Sequence, residues 1–413
     1  MSQPSRLHLF QGFGIELEYM IVDRDTLAVK PIADELLKHQ LGHYGSDFEN
    51  GLVTWSNELV LHVIELKSSK PEINFSALEN GFADNIKKVN LILSTWNAML
   101  MPTAAHPLMD PNTETRLWPH DSNEVYEIYD RIFNSKGHGW SNLQSTHLNL
   151  PFYDDEEFAK LHAAVRLVLP LLPALCASSP ILDGIFSGLL DTRLQYYKTN
   201  QARIPSITGR VIPEGIFSKR SYINTVYDKI QNDLRPFDPD NVLNPVWVNS
   251  RGAIPSFDRG SIEIRLMDIQ ECPAADLAII TLVIDLIQAL VAERFAPIDE
   301  QMKVRTDTLV TVFEDALRSG RNAVVAQRPY LQIFDLHEPL TIGELWMSLL
   351  ERLAVMKPSL KNWETDQLDI LFDQGTLAER ILKALDNDFA PENIKQVYRK
   401  LSGCLEQNKM FIL

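Results

Sequence analysis

Cysteine is scarce in this sequence and forms no recognisable motif. Three cysteines, Cys176, Cys272 and Cys404, stand far apart in 413 residues and show no C-x-x-C spacing. This pattern supports neither a disulfide framework nor a zinc site. Widely spaced thiols with apolar neighbours suit a reducing compartment, so we expect a cytoplasmic protein.

Positive charge is also in short supply. The 39 Lys and Arg residues are outnumbered by 55 Asp and Glu residues, which gives a formal net charge of −16. Nucleic-acid binding depends on clustered cations that neutralise phosphates, so we expect no nucleic-acid partner. The sequence also lacks a Walker A motif, a kinase Gly-rich loop and a G-x-G-x-x-G fingerprint, and any ATP site must therefore have another architecture.

The apolar run at about residues 167–182 is interrupted. It contains Pro170, Pro173 and Pro180 and is shorter than the roughly 20 residues that a membrane span needs. The first residues show neither the apolar stretch nor the cleavage site of a signal peptide. With 45% hydrophobic and 23% charged residues, the composition is that of an ordinary globular protein, and we expect no membrane partner.

What the sequence does contain is an early strand with two different faces. Between Gly14 and Val22, apolar residues alternate with others at the period of a β-strand. Glu16 and Glu18 share one face, roughly 6 to 7 Å apart. Either they lie in water, which is the commoner arrangement for glutamate, or they face a cation. The opposite, apolar face would hold Ile15, Leu17, Tyr19 and Ile21.

A second strand is predicted over residues 57–67, and it contributes two more glutamates. Glu58 and Glu65 are seven residues apart, so in one unbroken strand they would point to opposite faces. A bulge, or a strand that begins after Glu58, would let both reach the same centre. We therefore place Glu65 in a shared cluster and add Glu58 on that condition.

Two later strands carry polar residues on one face. Residues 143–150 alternate loosely and put Ser145, His147 and Asn149 together. Residues 260–268 put Glu263 and Arg265 on the face opposite the apolar residues of that strand. A histidine in a strand is more often a hydrogen-bonded structural residue than a metal ligand, and an Arg two residues from a Glu is often a surface ion pair.

Helical periodicity accounts for most of the remaining sequence. We predict helices at 75–98, 122–133, 155–177 and 274–295, and then at 305–318, 341–356, 366–386 and 391–406. Loops are expected at Gly320, Pro358 and Pro391. The pattern favours an α+β fold, with an antiparallel sheet, helices packed on it and a helical C-terminal portion over residues 301–413.

Together, the four strands predict a sheet whose apolar back packs on helices and whose polar front lines a pocket. Four or five carboxylates cannot share a pocket in ionised form without compensation, and divalent cations are the usual solution. Because carboxylates dominate, Mg²⁺ or Mn²⁺ is favoured over zinc. Substrate phosphates commonly complete the coordination shell of Mg²⁺, so the cluster points to nucleotide phosphoryl transfer. Arg265, Arg193 and Lys198 would offset the negative charge of the phosphate or of a substrate carboxylate.

The same segments resemble the glutamate–cysteine ligase type 2 and carboxylate–amine ligase family. The resemblance rests on Gly14–Glu18, on Glu58–Glu65, on Ala177-Ser178-Ser179-Pro180 with Gly184, and on Ser261–Asp268. It covers roughly residues 10–295. The order and spacing of these motifs are more specific than any one of them alone.

This resemblance implies a glutamine-synthetase-like fold, in which a curved antiparallel sheet forms a funnel and residues 1–300 make the catalytic domain. It also implies an ATP- and Mg²⁺-dependent ligase. ATP would phosphorylate a carboxylate, typically the γ-carboxyl of glutamate, and an amine would attack the acyl phosphate to give an amide, ADP and phosphate. The expected substrates are therefore an amino acid, an amine and ATP, with glutathione biosynthesis as the context if the amine is cysteine. A homo-oligomer is left open.

Residue roles follow by position in the family pattern. The resemblance implies metal ligands at Glu16, Glu18, Glu65 and Glu263, with Glu58 and His147 as additions. We assign catalytic roles to Arg265 and Glu18, and substrate binding to Arg193, Asn149 and Lys198.

The sequence departs from the family pattern at two places. Where family members often have two histidines one residue apart, this chain has His147-Leu148-Asn149, and where they have Thr-Gly and then Ser-x-Arg, it has Asp191-Thr192-Arg193. The second departure leaves the substrate and the amine open. Two other hypotheses also remain: a non-catalytic member that binds a nucleotide or metabolite and acts as an interaction module, and a metal-dependent hydrolase that needs no ATP.

Overall fold

The protein folds around one antiparallel sheet, seen in a computed structural model that describes residues 6–356 and 365–413. The strands of this sheet are β1 (Gly14–Asp23), β2 (Asp47–Asn50), β3 (Val53–Asn57), β4 (Val63–Ser68), β5 (Ala98–Met101), β6 (Ser145–Pro151), β7 (Ala253–Ser256) and β8 (Ser261–Asp268). Two small ribbons pair Ile181–Leu182 with Ile185–Phe186 and Val324–Val325 with Leu340–Thr341.

Strand β1 lies at the centre of the sheet. The order is β2-β3-β4-β1-β6-β8-β7. β4 pairs along one edge of β1, while β6 pairs with the first half of the other edge and β5 with the second half. The register sets Glu18 opposite Glu65 and Glu16 opposite His147. Opposed side chains on neighbouring strands lie about 5 Å apart at Cβ, so this register gathers the polar residues of several strands in one place.

Helices cover the sheet and make up most of the remaining chain. The longer ones are α1 (Ala33–Leu41), α2 (Phe75–Ser94), α3 (Asn123–Phe133), α4 (Asp155–Val168), α5 (Thr192–Tyr197), α6 (Asp228–Leu234), α7 (Pro273–Val291), α8 (Ile298–Lys303), α9 (Thr306–Ser319), α10 (Ile342–Met356), α11 (Thr365–Gln374), α12 (Leu377–Leu385) and α13 (Pro391–Gln407). Short helical turns are Pro111–Glu114, His138–Ser141, Pro173–Cys176, Lys219–Tyr222, Pro245–Val248 and Arg328–Leu331.

The apolar back of the sheet carries the core. Ile15, Leu17, Tyr19 and Ile21 are completely buried, as the alternation in β1 predicts. Helix α2 packs on β3 and β5, and α13 packs on β5 and α2. One apolar cluster continues from β1 through α4 and α7 into the C-terminal helices. Residues on both sides of position 300 therefore share a single core.

Helix α7 is a very apolar element, with a mean hydropathy of 2.1 and a length sufficient to cross a membrane. In this fold, however, 83% of it is buried inside the protein, where it packs against α2, α4 and α10. The core helix of a globular protein meets the same criteria of length and composition. The burial agrees with the prediction made from its apolar sequence.

The strand predicted over residues 57–67 is divided in two. β3 ends at Asn57 and β4 begins at Val63, and Glu58 lies in the connection between them. This is the second of the two arrangements that allow Glu58 and Glu65 to reach one centre. The prediction of one continuous strand was therefore wrong, while the condition attached to Glu58 is met.

Two predicted helices are also shorter than expected. The helix predicted over 155–177 ends at Val168, because Pro170 and Pro173 cannot donate the backbone hydrogen bonds of a continuing helix. The helix predicted over 366–386 is two helices, separated at Gly375, whose φ of +100° lies in the left-handed region. The loop predicted at Pro358 lies outside the described residues.

A β-bulge in β8 changes which residues reach the front face. The first half of β8 pairs residue for residue with β6, but the register then shifts by one before Met267, which pairs with Thr146. Asp268 consequently lies opposite Ser145. Strict alternation from Glu263 would have turned Asp268 to the apolar back. The bulge thus adds one carboxylate to the polar side of the sheet.

Buried histidine makes the stability of this fold depend on pH. His162 in α4 is completely buried, and its ring stacks on Phe158 with 5.2 Å between centroids. Burial, helped by the charge of Arg166, lowers the pKa of His162 to about 3. Unfolded histidine has a pKa of about 6.5, so the unfolded state takes up the proton first as the pH falls, and stability falls with it.

We expect His162→Phe to reduce the loss of stability at acid pH. From about pH 6.5 downward, the free energy of unfolding of the unmodified protein should fall by up to about 1.4 kcal/mol more per pH unit than that of the variant. Urea denaturation at a series of pH values measures the difference. His337→Phe is the control, because the His337 side chain is 70% exposed. Equal slopes in His162→Phe and the unmodified protein would contradict the burial effect.

Candidate active site

Three side chains from three adjacent strands meet at the centre of the front face. Nδ1 of His147 lies 2.9 Å from Oε2 of Glu16 and 3.6 Å from Oε1 of Glu263. One ligand atom from each residue lies within 4.8 Å of the other two. Two carboxylates and an imidazole at this spacing are the donor types of a divalent metal site, so the residues present fit Mg²⁺ or Mn²⁺.

Asn149 and Arg265 bind the two carboxylates of this cluster. Nδ2 of Asn149 donates to Oε1 of Glu16 at 3.1 Å. Nε of Arg265 donates to Oε1 of Glu263 at 2.6 Å. The Glu263–Arg265 ion pair is largely shielded from solvent, with side chains 19% and 28% exposed. It is therefore part of the wall of the site, in contrast to a pair on the outer surface.

Glu18 is oriented by Ser145, a residue to which the sequence interpretation gave no role. The backbone N–H and the hydroxyl of Ser145 donate to Oε2 of Glu18 at 2.7 and 3.0 Å. The same hydroxyl lies 2.8 Å from Nε2 of His147. Ser145 thus links Glu18 to the imidazole, whose other nitrogen contacts Glu16.

Burial and mutual contact act in opposite directions on Glu16 and His147. Burial disfavours the charged form of each, but their hydrogen bond and charges outweigh it. The pKa of Glu16 is lowered to about 2, and the pKa of His147 is raised above its ordinary value. The contact therefore favours a protonated His147 beside an ionised Glu16.

The pKa values of Glu58 and Glu65 are raised, in contrast to that of Glu16. Burial, with repulsion from Glu18, raises the pKa of Glu58 to about 8. Burial, with repulsion from Glu16, also raises the pKa of Glu65, although Nζ of Lys67 lies 3.3 Å from its Oε2. A carboxylate in such an environment holds its proton more tightly unless further positive charge is close.

Arg193 supports the backbone at Arg265. Its Nε donates to Oδ1 of Asp268 at 2.5 Å, and both terminal nitrogens donate to the carbonyl of Arg265 at 3.2 and 3.3 Å. Asp268 also accepts hydrogen bonds of 2.9 Å from the backbone N–H of Ser178 and the hydroxyl of Ser179. Arg193 borders the site but is only 2% exposed. Contact between Arg193 and a substrate stays a prediction.

Lys198 lies apart from the cluster. It follows the last residue of α5, and its Nζ is 2.5 Å from Oε1 of Glu314 on α9. It does not border the cavities of the front face. The substrate-binding role predicted for Lys198 therefore lacks a contact with the site, because a neighbouring helix already supplies its counter-charge.

Two adjoining cavities open on the front face. The first has a volume of about 290 Å³, and the second has a volume of about 860 Å³. Asn149 and Glu263 border the second cavity. Tyr126, Trp247 and Arg265 border both, so the acidic cluster lies where the two spaces meet. The predicted site residues that border the first cavity are Glu16, Glu18, Glu58, Glu65, His147, Arg193 and Arg265.

Aromatic side chains form much of the wall of the first cavity, and the sequence interpretation did not include them. Tyr126 and Tyr129 come from α3, Trp140 from the turn His138–Ser141, Tyr197 from α5 and Trp247 from the turn Pro245–Val248. The only local signal is a helix with tyrosines three residues apart, which is equally typical of a core helix. Their convergence depends on the packing of distant segments.

Most of the chain matches a known protein family. The family described as glutamate–cysteine ligase family 2 (GCS2) matches residues 12–399. The chain belongs to glutamate–cysteine ligase family 2. The predicted resemblance is confirmed, and it extends beyond residue 295 into the C-terminal helices.

Two relatives differ in their sequence identity to this chain. An uncharacterized protein of Archaeoglobus fulgidus is 31% identical over 405 residues, which are 97% of this chain and 100% of the relative. A Salinispora tropica protein, provisionally named glutamate–cysteine ligase 2, is 25% identical over 381 residues and 90% of each chain.

A solved structure shares the fold. Glutamate–cysteine ligase from Francisella tularensis, crystallised in complex with AMP, aligns with a TM-score of 0.62 at 12% identity, over 97% of this chain and 90% of that one. The predicted class, an α+β glutamine-synthetase-like fold with an antiparallel sheet, is thereby confirmed. At this identity the likeness concerns the fold.

We expect the central cluster to bind Mn²⁺. Glu16→Gln should weaken the affinity roughly tenfold or more, because it removes a charged ligand, whereas Glu49→Gln on the exposed side of β2 should not. Affinity should also rise with pH, since His147 must lose the proton that its raised pKa retains before it can bind a metal. Electron paramagnetic resonance of free Mn²⁺ measures both effects. Equal affinity in the two variants would contradict this assignment.

Proposed function

We propose that the protein is an ATP-dependent carboxylate–amine ligase, which joins a carboxylate, such as the γ-carboxyl of glutamate, to an amine. The observation that carries this proposal is the position of the Glu16–His147–Glu263 cluster at the junction of two cavities that share Arg265. A ligase of this kind holds a nucleotide and an acid on opposite sides of one phosphoryl group. Two adjoining spaces around one charged centre provide that layout, and the family assignment supports the same reaction class.

The proposed reaction has two steps. A carboxylate oxygen of the acid attacks the γ-phosphorus of ATP, the bond from that phosphorus to the bridging oxygen breaks, and ADP leaves. The amine nitrogen then attacks the carbonyl carbon of the acyl phosphate, loses a proton and expels phosphate. The products are an amide, ADP and phosphate.

Some side chains of the site would neutralise charge, and others would position the groups that do so. A divalent cation held by Glu16, His147 and Glu263 would supply charge neutralisation at phosphate oxygens when bound. Arg265 borders both cavities and offsets the negative charge that moves with the phosphoryl group. Glu263 orients its guanidinium at 2.6 Å, and Arg193 supports its backbone carbonyl.

The proposal is tested by the dependence of turnover on the amine. The protein is incubated with ATP, Mg²⁺, glutamate and a panel of primary amines that includes cysteine, and phosphate release is measured. We expect release that requires both the acid and one class of amine. With ¹⁸O in the glutamate carboxylates, one labelled oxygen should pass to the phosphate, because that oxygen bridges carbon and phosphorus in the acyl phosphate.

Two variants show whether this activity belongs to the front face. Glu263→Gln should lower kcat by roughly a hundredfold or more, since it removes the negative charge of a metal ligand and of the ion pair with Arg265. Glu49→Gln should leave the rate unchanged. Nucleotide binding without any amine-dependent turnover would favour a non-catalytic member, and hydrolysis without ATP would favour a metal-dependent hydrolase.

A further inference from the structure

Four aromatic side chains form a connected group on one wall of the first cavity. Tyr126, Tyr129, Trp140 and Trp247 all border this space, and each ring neighbours at least one other ring of the group. Trp247 is 43% exposed, and Tyr126 and Trp140 are half-buried, so these three side chains have surface open to a ligand. Tyr129 is buried and forms the base of the group. We refer to the four residues as the aromatic cage.

The rings of the cage are steeply inclined to one another. Between centroids, the ring of Tyr129 lies 4.7 Å from that of Trp140 and 5.2 Å from that of Trp247, at angles of 82° and 69°. The ring of Tyr126 lies 6.4 Å from that of Trp247, at 55°. A flat ligand ring stacks on parallel planes, whereas inclined planes surround a rounded group from several sides. Aromatic cages recognise ammonium groups in this way, through cation–π attraction.

Hydrogen bonds hold the cage in place without a ligand. Nε2 of Gln201 donates to the hydroxyl of Tyr129 at 3.1 Å, and Nδ2 of Asn200 donates to the carbonyl of Gly139, the residue before Trp140. A Cβ at Gly139 would overlap the side chain of Asn200, so this close approach requires glycine. Rings that are already ordered bind a ligand at a smaller cost in conformational entropy.

The cavity beside the cage carries more acidic than basic groups. Each cationic side chain that borders it already has a carboxylate partner: Arg193 pairs with Asp268, Arg265 with Glu263, and His147 with Glu16. Three further carboxylic side chains border the same space: Glu18, Glu58 and Glu65. A cationic ligand would stabilise their ionised form, and a ligand with an additional carboxylate would be repelled by it.

Glu58 lies beside the cage. Nδ2 of Asn57 donates to the hydroxyl of Tyr126 at 3.2 Å and to the carbonyl of Glu58 at 3.3 Å. Burial, together with the charge of Glu58, raises the pKa of Tyr126 to about 12. An ammonium group in the cage would therefore have both ring faces and a carboxylate close to it. Divalent metal ions, in contrast, take oxygen ligands that ring faces do not provide.

The sizes of the two cavities indicate which substrate the cage contacts. The second cavity, of about 860 Å³, suits the nucleotide, and the first, of about 290 Å³, suits smaller molecules. Tyr129 and Trp140 border only the first cavity. The cage therefore faces the space that remains for the acid and the amine. Of these two substrates, the amine is the one that can carry a positive charge without a carboxylate.

We propose that the amine substrate is an aliphatic diamine whose distal ammonium group lies in the aromatic cage. This inference rests on the proposed ligase function. One nitrogen of the diamine attacks the carbonyl carbon of the acyl phosphate, and the proton that it loses leaves with the phosphate. The other nitrogen stays protonated, and the ring faces and Glu58 stabilise its charge. The product is a monoamide that retains one ammonium group.

Matched pairs of amines test this assignment. Phosphate release is measured with ATP, Mg²⁺, glutamate and α,ω-diamines of three to six carbons, and then with the straight-chain monoamine of each length. We expect kcat/KM of the best diamine to exceed that of its matched monoamine roughly tenfold or more, because only the diamine places a charge in the cage. Cysteine and 2-phenylethylamine complete the panel. An equal or higher kcat/KM with any monoamine, with 2-phenylethylamine or with cysteine would overturn the inference and leave the ligase proposal intact.

Variants of Trp140 show whether the cage provides the preference. Trp140→Leu should reduce the ratio of kcat/KM between diamine and monoamine roughly fivefold or more, whereas Trp140→Phe keeps a ring and should retain most of it. Tyr153→Leu is the control, since Tyr153 is 46% exposed, stacks on His8 and borders neither cavity. A ratio that is unchanged in Trp140→Leu would contradict the role of the cage.

Calorimetry separates this inference from the ligase proposal. The best diamine and its matched monoamine are titrated into the full-length protein without ATP. If no amine supports turnover, the ligase proposal fails, and saturable diamine binding that Trp140→Leu weakens roughly tenfold would still support the cage as a site for an ammonium group. The absence of both turnover and saturable diamine binding would overturn both proposals.

Discussion

Repulsion among buried glutamates is the constraint on which the candidate active site depends. Glu16, Glu18, Glu58 and Glu65 border one small cavity, where burial makes each ionised carboxylate costly. The protein offsets only part of this charge, through His147, Arg265 and Lys67. The result is a wide spread of proton affinities, with a pKa of about 2 for Glu16 and about 8 for Glu58. Added positive charge would therefore stabilise the ionised form of these carboxylates.

The sheet separates the acidic side chains on its front face from the apolar core on its back. The side chains of Ile15 and Leu17 on the back of β1 are fully buried in the core, while their neighbours face the cavity. The core holds the strands rigidly, so the opposed residues cannot move apart to relieve their repulsion. A second buried interaction, between Arg193 and Asp268, supports β8 at the point where its bulge interrupts the ladder. Stability and site geometry therefore arise from the same packing.

The parts of the site that alternate within one strand could be predicted. Period two is a local property, so Glu16 and Glu18 could be placed on one face, and Glu263 with Arg265 on another, before any contact was known. Glu58 could be assigned to the cluster only on the condition that the strand is interrupted, because the end of a strand depends on where the chain turns. Lys198 shows the limit of charge alone: its sequence position suggests a substrate contact, yet Glu314 on another helix already pairs with it.

The sequence by itself determined the strand faces, because period two is local, and it determined the family and the class of the fold, because the order and spacing of the motifs are properties of the sequence. Tertiary structure decided the register that sets Glu18 opposite Glu65, the bulge that brings Asp268 to the front, and the aromatic wall to which Tyr126 and Trp247 contribute. These features join segments far apart in sequence. Their geometry follows from the packing of whole elements against a shared core, so it cannot be predicted from local periodicity.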